Sequence, residues 1–574
     1  MRPATQQFGV EDRPPLGVTV FSALQHLALI APIGLVFPLL VAAQAGASHA
    51  AVSAILAMSM LALGVATLLQ CARWRGVGSG FFAPAVFTAA YLPPSLAAAD
   101  QGGLPLVCGM TMFAGVCEML ISRALGRLRP YLPTEIAGLA VTMIGVILGL
   151  LGFRLLFGLP TGASDPVTLS ATPLTAIGGC TLAVIIGLSI WGPPRLRIYA
   201  VLVALVAAWI AAAVAGEIDF ADLHTSLADG LVRLPRLPLA LPTFAPGLAF
   251  DFAMAALASS LRAVGDITTC QKINDADWLR PDLTTLKSGA LAAGLGTFLA
   301  GLLGTVGLNT FSGSVGLSAA TGVMARRVGF ALGGIFVLLS FVPGASALAE
   351  SIPMPVTGAI LLFAAAFVLL NGIQVILSRL LDNRKTLAIG LGLIFGLSRD
   401  MFPGAFTGLP PWFGAIIGSP LAEALLVAIV LNLVFRLGVG ARAQLVLTPG
   451  VEAINRVHAF CEAQGGAWAA RRDVMHRVTT ALVEFAESSA EVVAPNHDAS
   501  IELSFDEFHI DAVIRYVGQA LELPPPSDGA KAPDLADTGG LPSHLPLLII
   551  ARMADKSSSG RQGDTQWLRL TFVH

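Results

Sequence analysis

Between residues 17 and about 440 the chain repeats one pattern, a long run of apolar residues followed by a short polar loop. A helix needs roughly 20 apolar residues to cross a 30 Å hydrocarbon core, and shorter pieces survive only where protein surrounds them. Such runs lie near 17–43, 51–70, 77–95, 103–122, 132–157, 172–192, 196–216, 246–271, 287–307, 309–325, 328–344, 355–378, 385–398 and 418–438, about fourteen segments. The third, tenth and thirteenth are short or rich in Gly and Pro, and need not be full helices. After Thr448-Pro449-Gly450 the period changes. Amphipathic helices are predicted over 451–464 and 472–492, a strand over 500–505, a Pro/Gly/Asp-rich loop over 523–542, a helix over 545–554 and a last strand over 566–572. The pattern predicts an all-α polytopic membrane protein over residues 17–440, preceded by a short cytoplasmic segment, 1–16, and followed by a soluble cytoplasmic α+β domain, 451–574.

Composition agrees with this division. Of 574 residues, 55% are apolar and 12% charged, against about 25% charged in soluble domains. The net charge of −2 conceals an imbalance, because residues 1–450 hold 24 Lys+Arg and 19 Asp+Glu whereas the tail holds 10 and 17. Nothing here suits a nucleic-acid partner. The six cysteines have no paired spacing, so neither a disulfide framework nor a metal site is expected. Residues 1–15 lack the basic start and small-residue cleavage site of a signal peptide, and are expected to stay on the mature chain. No phosphate-binding Gly-x-x-x-x-Gly-Lys-Ser/Thr loop occurs, which argues against ATP-driven transport.

Lys and Arg accumulate in loops left on the cytoplasmic side. One set of alternate loops carries fifteen, among them Arg73, Arg123, Lys272, Arg326 and Lys385, and the other set carries four, Arg154, Arg233, Arg236 and Arg399. With an even span count this predicts both termini in the cytoplasm and a multi-pass protein of the inner membrane. The halves also echo each other. Leu132-Pro133-Thr134-Glu135 opens segment five and Met354-Pro355-Val356-Thr357 opens segment twelve, while Gly78-Ser79-Gly80-Phe81-Phe82 and Phe311-Ser312-Gly313-Ser314 break segments three and ten. Interrupted segments at matching places predict a 7+7 inverted repeat, with a polar solute bound near the midplane at half-helix N-termini.

These residues resemble the nucleobase/ascorbate transporter family, which includes xanthine, urate and uracil permeases. The resemblance covers about residues 17–440. It is carried by Gln25-His26, by Ser79-Gly80-Phe81, by Gly265-Asp266, and by Asn309 to Gly322 with its Gly316 and Thr321-Gly322. It implies a secondary active transporter, a proton or sodium symporter, moving a purine-like nucleobase such as xanthine or urate between core and gate domains. No enzymatic activity, cofactor or metal is implied. A homodimer and a cytoplasmic partner of the C-terminal domain stand among the candidate partners, beside the solute and the lipid bilayer. Two departures are notable. Where the family has a Glu that hydrogen-bonds the base, this chain has Arg262, and where it has Glu or Gln followed by Asn, this chain has Gly313 and Ser314. A guanidinium only donates where a carboxylate accepts. The loss of both base-reading positions also fits an alternative, a transporter-derived ligand sensor signalling through the tail.

The candidate substrate-binding residues are Phe81, Phe82, Arg262, Asp266, Thr310, Ser312 and Ser314. Arg262 and Asp266 lie four apart on one helix face, either as ligand contacts or as an internal ion pair. Phe81 and Phe82 offer rings for stacking on a planar solute, or plain packing. The hydroxyls of Thr310, Ser312 and Ser314 suit a ligand or helix packing. Candidates for proton coupling are His26, Glu118 and Asp266. Against these stand a packing role for His26 and a snorkelling interface carboxylate for Glu118. The tail resembles a degenerate GHKL-type ATPase of the anti-sigma-factor kinase kind. Ser488 stands where that family's metal-binding Asn is expected, and Tyr516-Val517-Gly518 stands for its Asp-x-Gly, so weak nucleotide binding is expected.

Overall fold

A computed structural model describes residues 6–128, 133–159, 172–197, 199–218, 232–235, 241–276, 278, 281–377, 381, 383–406, 410, 414, 417–435, 441–450, 452–468, 470, 472–506, 509–521 and 545–573. The predicted loop at 523–542 lies outside them. The chain divides into two compact units, Met1–Asn432 and Leu433–His574.

The first unit is helical. Among the described residues seven helices are long and apolar enough to cross a membrane, or eight if one bent pair is a single span. The described α-helices of this unit, in chain order, are α1 (Leu16–Gly34), α2 (Val36–Gln44), α3 (His49–Cys71), α4 (Leu92–Leu128), α5 (Thr134–Phe157), α6 (Pro173–Trp191), α7 (Pro194–Arg197), α8 (Ala200–Val214), α9 (Ala249–Asn274), α10 (Leu283–Leu302), α11 (Ser312–Thr321), α12 (Arg326–Leu339), α13 (Pro343–Glu350), α14 (Met354–Ile376), α15 (Asn383–Met401) and α16 (Pro420–Phe435). Several of the fourteen expected segments are not single straight helices. Segments three and ten each contain a short strand, β1 (Ala85–Phe87) and β2 (Leu308–Thr310). Segment eleven bends by 88° between α12 and α13, at a break before Pro343. Segment thirteen, in contrast, is the unbroken 19-residue α15. Its Gly392 and Gly396 serve close packing: a Cβ on Gly396 would lie 2.7 Å from the Pro420 carbonyl.

The two strands pair antiparallel at the centre, with Ala85 opposite Thr310, Val86 opposite Asn309 and Phe87 opposite Leu308. Unpaired backbone groups are costly in an apolar surrounding, and this pairing satisfies them. Gly80 has φ +74°, a left-handed conformation that glycine adopts without strain and that turns the chain toward β1.

Around the strands the helices pack in pairs held by small residues. On α5, Gly138 and Gly152 face Gly372 and Gly358 of α14, so these helices run antiparallel. A Cβ on Gly358 would lie 2.6 Å from the Gly152 carbonyl, so the backbones meet only because both residues lack one. Likewise Gly64 of α3 meets Gly333 of α12, and Gly115 of α4 meets Phe298 of α10. The echoing motifs both open a helix, with Pro133 as the N-cap residue of α5 and Pro355 in the first turn of α14. Proline suits the start of a helix, where its missing N–H is no loss.

The second unit is a five-stranded antiparallel sheet with helices. Its elements are β3 (Ala441–Leu447), α17 (Ala453–Ala467), α18 (Arg472–Val492), β4 (Ala499–Phe505), β5 (His509–Val517), α19 (Leu545–Met553), β6 (Lys556–Gln562) and β7 (Thr565–Val573), in sheet order β3-β4-β5-β7-β6. Alternate residues of β4, β5 and β7 are buried, including Ile501, Leu503, Ile510, Ile514, Leu568 and Leu570. They pack with Val478, Leu482 and Phe485 of α18 into a core of their own. Three strands, β3, β5 and β6, go beyond the sequence expectation, and β3 lies before residue 451.

Candidate functional site

The antiparallel strand pair brings the two interrupted segments together, and α11 starts two residues after β2. Its N-cap, Phe311, is extended, and Ser312, Gly313 and Ser314 form the first turn. A helix N-terminus leaves backbone N–H groups unsatisfied and carries partial positive charge.

Long α9 runs alongside. Asp266, 6% exposed, accepts a 2.7 Å hydrogen bond from Thr310 Oγ1, and the Ser312 hydroxyl faces the same carboxylate. Further back, the Asn309 amide donates to the Ser259 carbonyl at 2.6 Å and its Oδ1 accepts from the Thr310 backbone at 2.7 Å. Arg262, 9% exposed, lies one turn from Asp266. Among the described residues its guanidinium makes no hydrogen bond and no ion pair within 4.0 Å, and the charge facing it is Asp266. The ion-pair reading is thereby modified, because the carboxylate is held by hydroxyls and the guanidinium keeps its donors.

On the other side stands α1. His26 is buried, with Nδ1 hydrogen-bonded to the Ser314 hydroxyl and Nε2 3.5 Å from Ser318 Oγ. The imidazole therefore ties α1 to α11. Phe82 packs edge-on to it, ring centroids 4.6 Å apart and planes at 68°. Phe81 is half-buried and packs with Ala83, Cys270, Val315, Leu125, Ile267 and Leu286. Asp266, Thr310, Ser312, Ser314 and His26 thus converge on the first turns of α11, with Arg262 one turn from Asp266 along α9, while both Phe rings make apolar contacts.

Glu118 departs from its expected surroundings. It is 0% exposed, accepts a hydrogen bond from the Tyr91 hydroxyl, and faces Thr297 Oγ1 at 3.5 Å. Thr297 in turn donates to the Leu308 carbonyl of β2 at 2.8 Å. Glu118 is therefore no snorkelling interface residue but a buried tie between α4, α10 and the strand pair. Its place near the cytoplasmic end of segment four suggested the interface, whereas burial is set by partners distant in the chain.

Phe311 was missed by the sequence reading. A Cβ on Gly313 would lie 2.7 Å from Phe311 Cζ, so this ring covers the position of the family's Glu or Gln. Its place between Thr310 and Ser312 was the available signal. Also missed was a group at the other end of α9, where Asp251 is 4% exposed and its carboxylate rests against Gly418 and Ser419 at the start of α16. Arg399 of α15 faces both Asp251 and the buried Glu423 of α16.

In the second unit Tyr516 is buried and its hydroxyl donates to the Gln519 carbonyl at 3.0 Å. Ser488 Oγ donates to the Glu484 carbonyl at 2.9 Å, within its own helix. Burial, with Glu487 beside it, raises the pKa of Glu484. Both replacement residues spend their polar atoms on local hydrogen bonds.

Comparison with known proteins adds four findings. Residues 17–403 match the Permease family model for xanthine/uracil permeases. The chain is 29% identical over 445 residues to xanthine permease XanP of Escherichia coli (strain K12), spanning 75% of this chain and 94% of that one. It is 26% identical over 427 residues to uric acid permease PucJ of Bacillus subtilis (strain 168), spanning 72% and 92%. In fold it is similar to murine Slc26a9, an anion transporter, with TM-score 0.51, 13% identity, and 77% of this chain and 72% of that one covered. Nothing among these matches supports the ligand-sensor alternative.

Proposed function

Because the chain belongs to the xanthine/uracil permease family, a family of membrane carriers and not of enzymes, we propose that it is a secondary active transporter of a purine-like base, with xanthine and urate the first candidates. One observation carries the site. Two chain breaks meet in a β1–β2 pair, and the exposed backbone end of α11 is flanked by Asp266 through Thr310 and by His26 through Ser314. Backbone donors and hydroxyls gathered at a half-helix start suit the ring nitrogens and carbonyls of a planar base.

Alternating access then follows from the helix pairing. If the seven-segment halves are inverted copies, segments five and twelve exchange places, and so do three and ten. The α5–α14 and β1–β2 contacts are therefore self-matched. Segment two exchanges with nine and four with eleven, which makes α3–α12 the counterpart of α4–α10. This pattern supports a 7+7 repeat of about fourteen segments, with α5, α6, α8, α14, α15 and α16 as the gate and the strand-bearing group as the core. The transport unit is read as residues 17–440 and both termini as cytoplasmic, in keeping with the Lys and Arg asymmetry. A proton or sodium gradient drives the carrier, with His26, Glu118 and Asp266 the proton-coupling candidates. The tail is a cytoplasmic docking domain with little affinity for nucleotide.

The test is counterflow in proteoliposomes with a panel of purines, pyrimidines and organic acids. Exchange of labelled xanthine or urate is expected. If no base exchanges above protein-free liposomes, the carrier reading fails.

A further inference from the structure

The site's charge balance points to one class within the purine-like substrates. Asp266 is served by the Thr310 hydroxyl, with Ser312 beside it, and stands at the N-terminal end of α11. Its negative charge is thus already solvated by hydroxyls and by the partial positive charge of the helix end. Arg262 has no such service. It is nine-tenths buried, keeps five N–H donors, and makes no hydrogen bond among the described residues. A guanidinium is protonated at every working pH, and burying one without partners is costly.

The neighbouring positions do not offset this charge. Gly313 brings no side chain, and the Phe311 ring lies over it. Ser314 is bound to His26, whose second ring nitrogen faces Ser318. One carboxylate therefore faces a guanidinium and a helix N-terminus together, and the site's net field is positive.

Resting on the carrier reading above, we propose that the transported species is an anion, a planar heterocycle carrying an ionised ring N–H or a carboxylate, and that Arg262 is the residue that selects it. An anion would take the unserved guanidinium donors in the bidentate manner suited to two adjacent oxygens or to an oxygen and a ring nitrogen. A neutral base would leave the guanidinium, nine-tenths buried, without a charged partner beyond Asp266. Planarity is retained from the carrier reading.

Uracil and uracil-6-carboxylate share one ring and differ by a charge, so they isolate the effect. Binding to the purified full-length protein is measured by calorimetry for both, and for urate above and below its first ionisation. The wild type is expected to bind the carboxylate and ionised urate and to bind uracil weakly or not at all. Arg262→Gln is expected to lose both anions, and Arg262→Lys to keep them with reduced affinity. A wild type that prefers uracil to its carboxylate, or an Arg262→Gln protein that binds urate as the wild type does, overturns the inference. Because the wild-type comparison needs no variant, a poorly folding Arg262→Gln leaves the test standing. Exchange of neutral bases alone rejects the anion and leaves the carrier intact, whereas failure of every base and acid to exchange in proteoliposomes rejects the carrier itself.

Discussion

Thr310, on a three-residue strand, donates a 2.7 Å hydrogen bond to Asp266, 44 positions earlier on α9. This contact joins the interrupted tenth segment to a long helix and fixes where the carboxylate stands relative to the start of α11. A hydrogen bond to a charged group contributes about 1.5–3 kcal/mol, more than a neutral one.

Thr310→Ala should therefore weaken substrate binding by about tenfold or more, since 1.4 kcal/mol corresponds to a factor of ten. Thr310→Ser keeps the hydroxyl and should stay near the wild type. The apparent Km for uptake into membrane vesicles is the readout, and equal values for the Ala and Ser variants would mean that the bond does not position the site.

The contact between Gly152 and Gly358 leaves no room for even a methyl group, because a Cβ on Gly358 would be 2.6 Å from a backbone carbonyl. Replacing Gly358 by Val should push α14 away from α5 and lower thermal stability in detergent by about 1–3 kcal/mol, the usual cost of overpacking. Gly390 has open space about it, and Gly390→Ala should cost much less. Melting curves of the two variants make the comparison.

Arg399 faces Asp251 and Glu423, whose Oδ1 and Oε2 are buried without a hydrogen-bond partner. Removing the guanidinium leaves two buried carboxylates facing no cation. Arg399→Gln should destabilise the protein by on the order of 2 kcal/mol at an effective dielectric near 20, and adding Asp251→Asn should recover part of the loss. A double variant no more stable than the single one would show that the three residues do not act as a unit.

Strand β3 forms seven register pairs with β4, from Ala441–Phe505 to Leu447–Ala499. A segment comprising residues 441–574 should fold cooperatively on its own, whereas one starting at 451 should expose the edge of β4 and aggregate. The longer segment should show no micromolar affinity for ATP, because Ser488 and Tyr516 are committed to backbone carbonyls. Circular dichroism and calorimetry test the two statements separately, and micromolar ATP binding would refute the degenerate reading.

The apolar runs and the Gly-rich breaks made the membrane segments and their interruptions legible without coordinates, and Gln25-His26, Gly265-Asp266 and the run from Asn309 to Gly322 made the family legible. The amphipathic period of residues 472–492 located α18 to the residue. These features are local, since helix length, strand breaks and amphipathicity follow from neighbours within a turn or two. Strand β6, Lys556–Gln562, was not legible, because an exposed edge strand has no need to alternate apolar and polar residues. The burial of Glu118 against Tyr91, the covering of Gly313 by Phe311 and the division of partners between Asp266 and Arg262 were decided only in the tertiary structure. Each depends on which distant segment arrives opposite a side chain, and in a densely packed bundle that is fixed by the joint fit of all the helices and not by the sequence on either side of the residue.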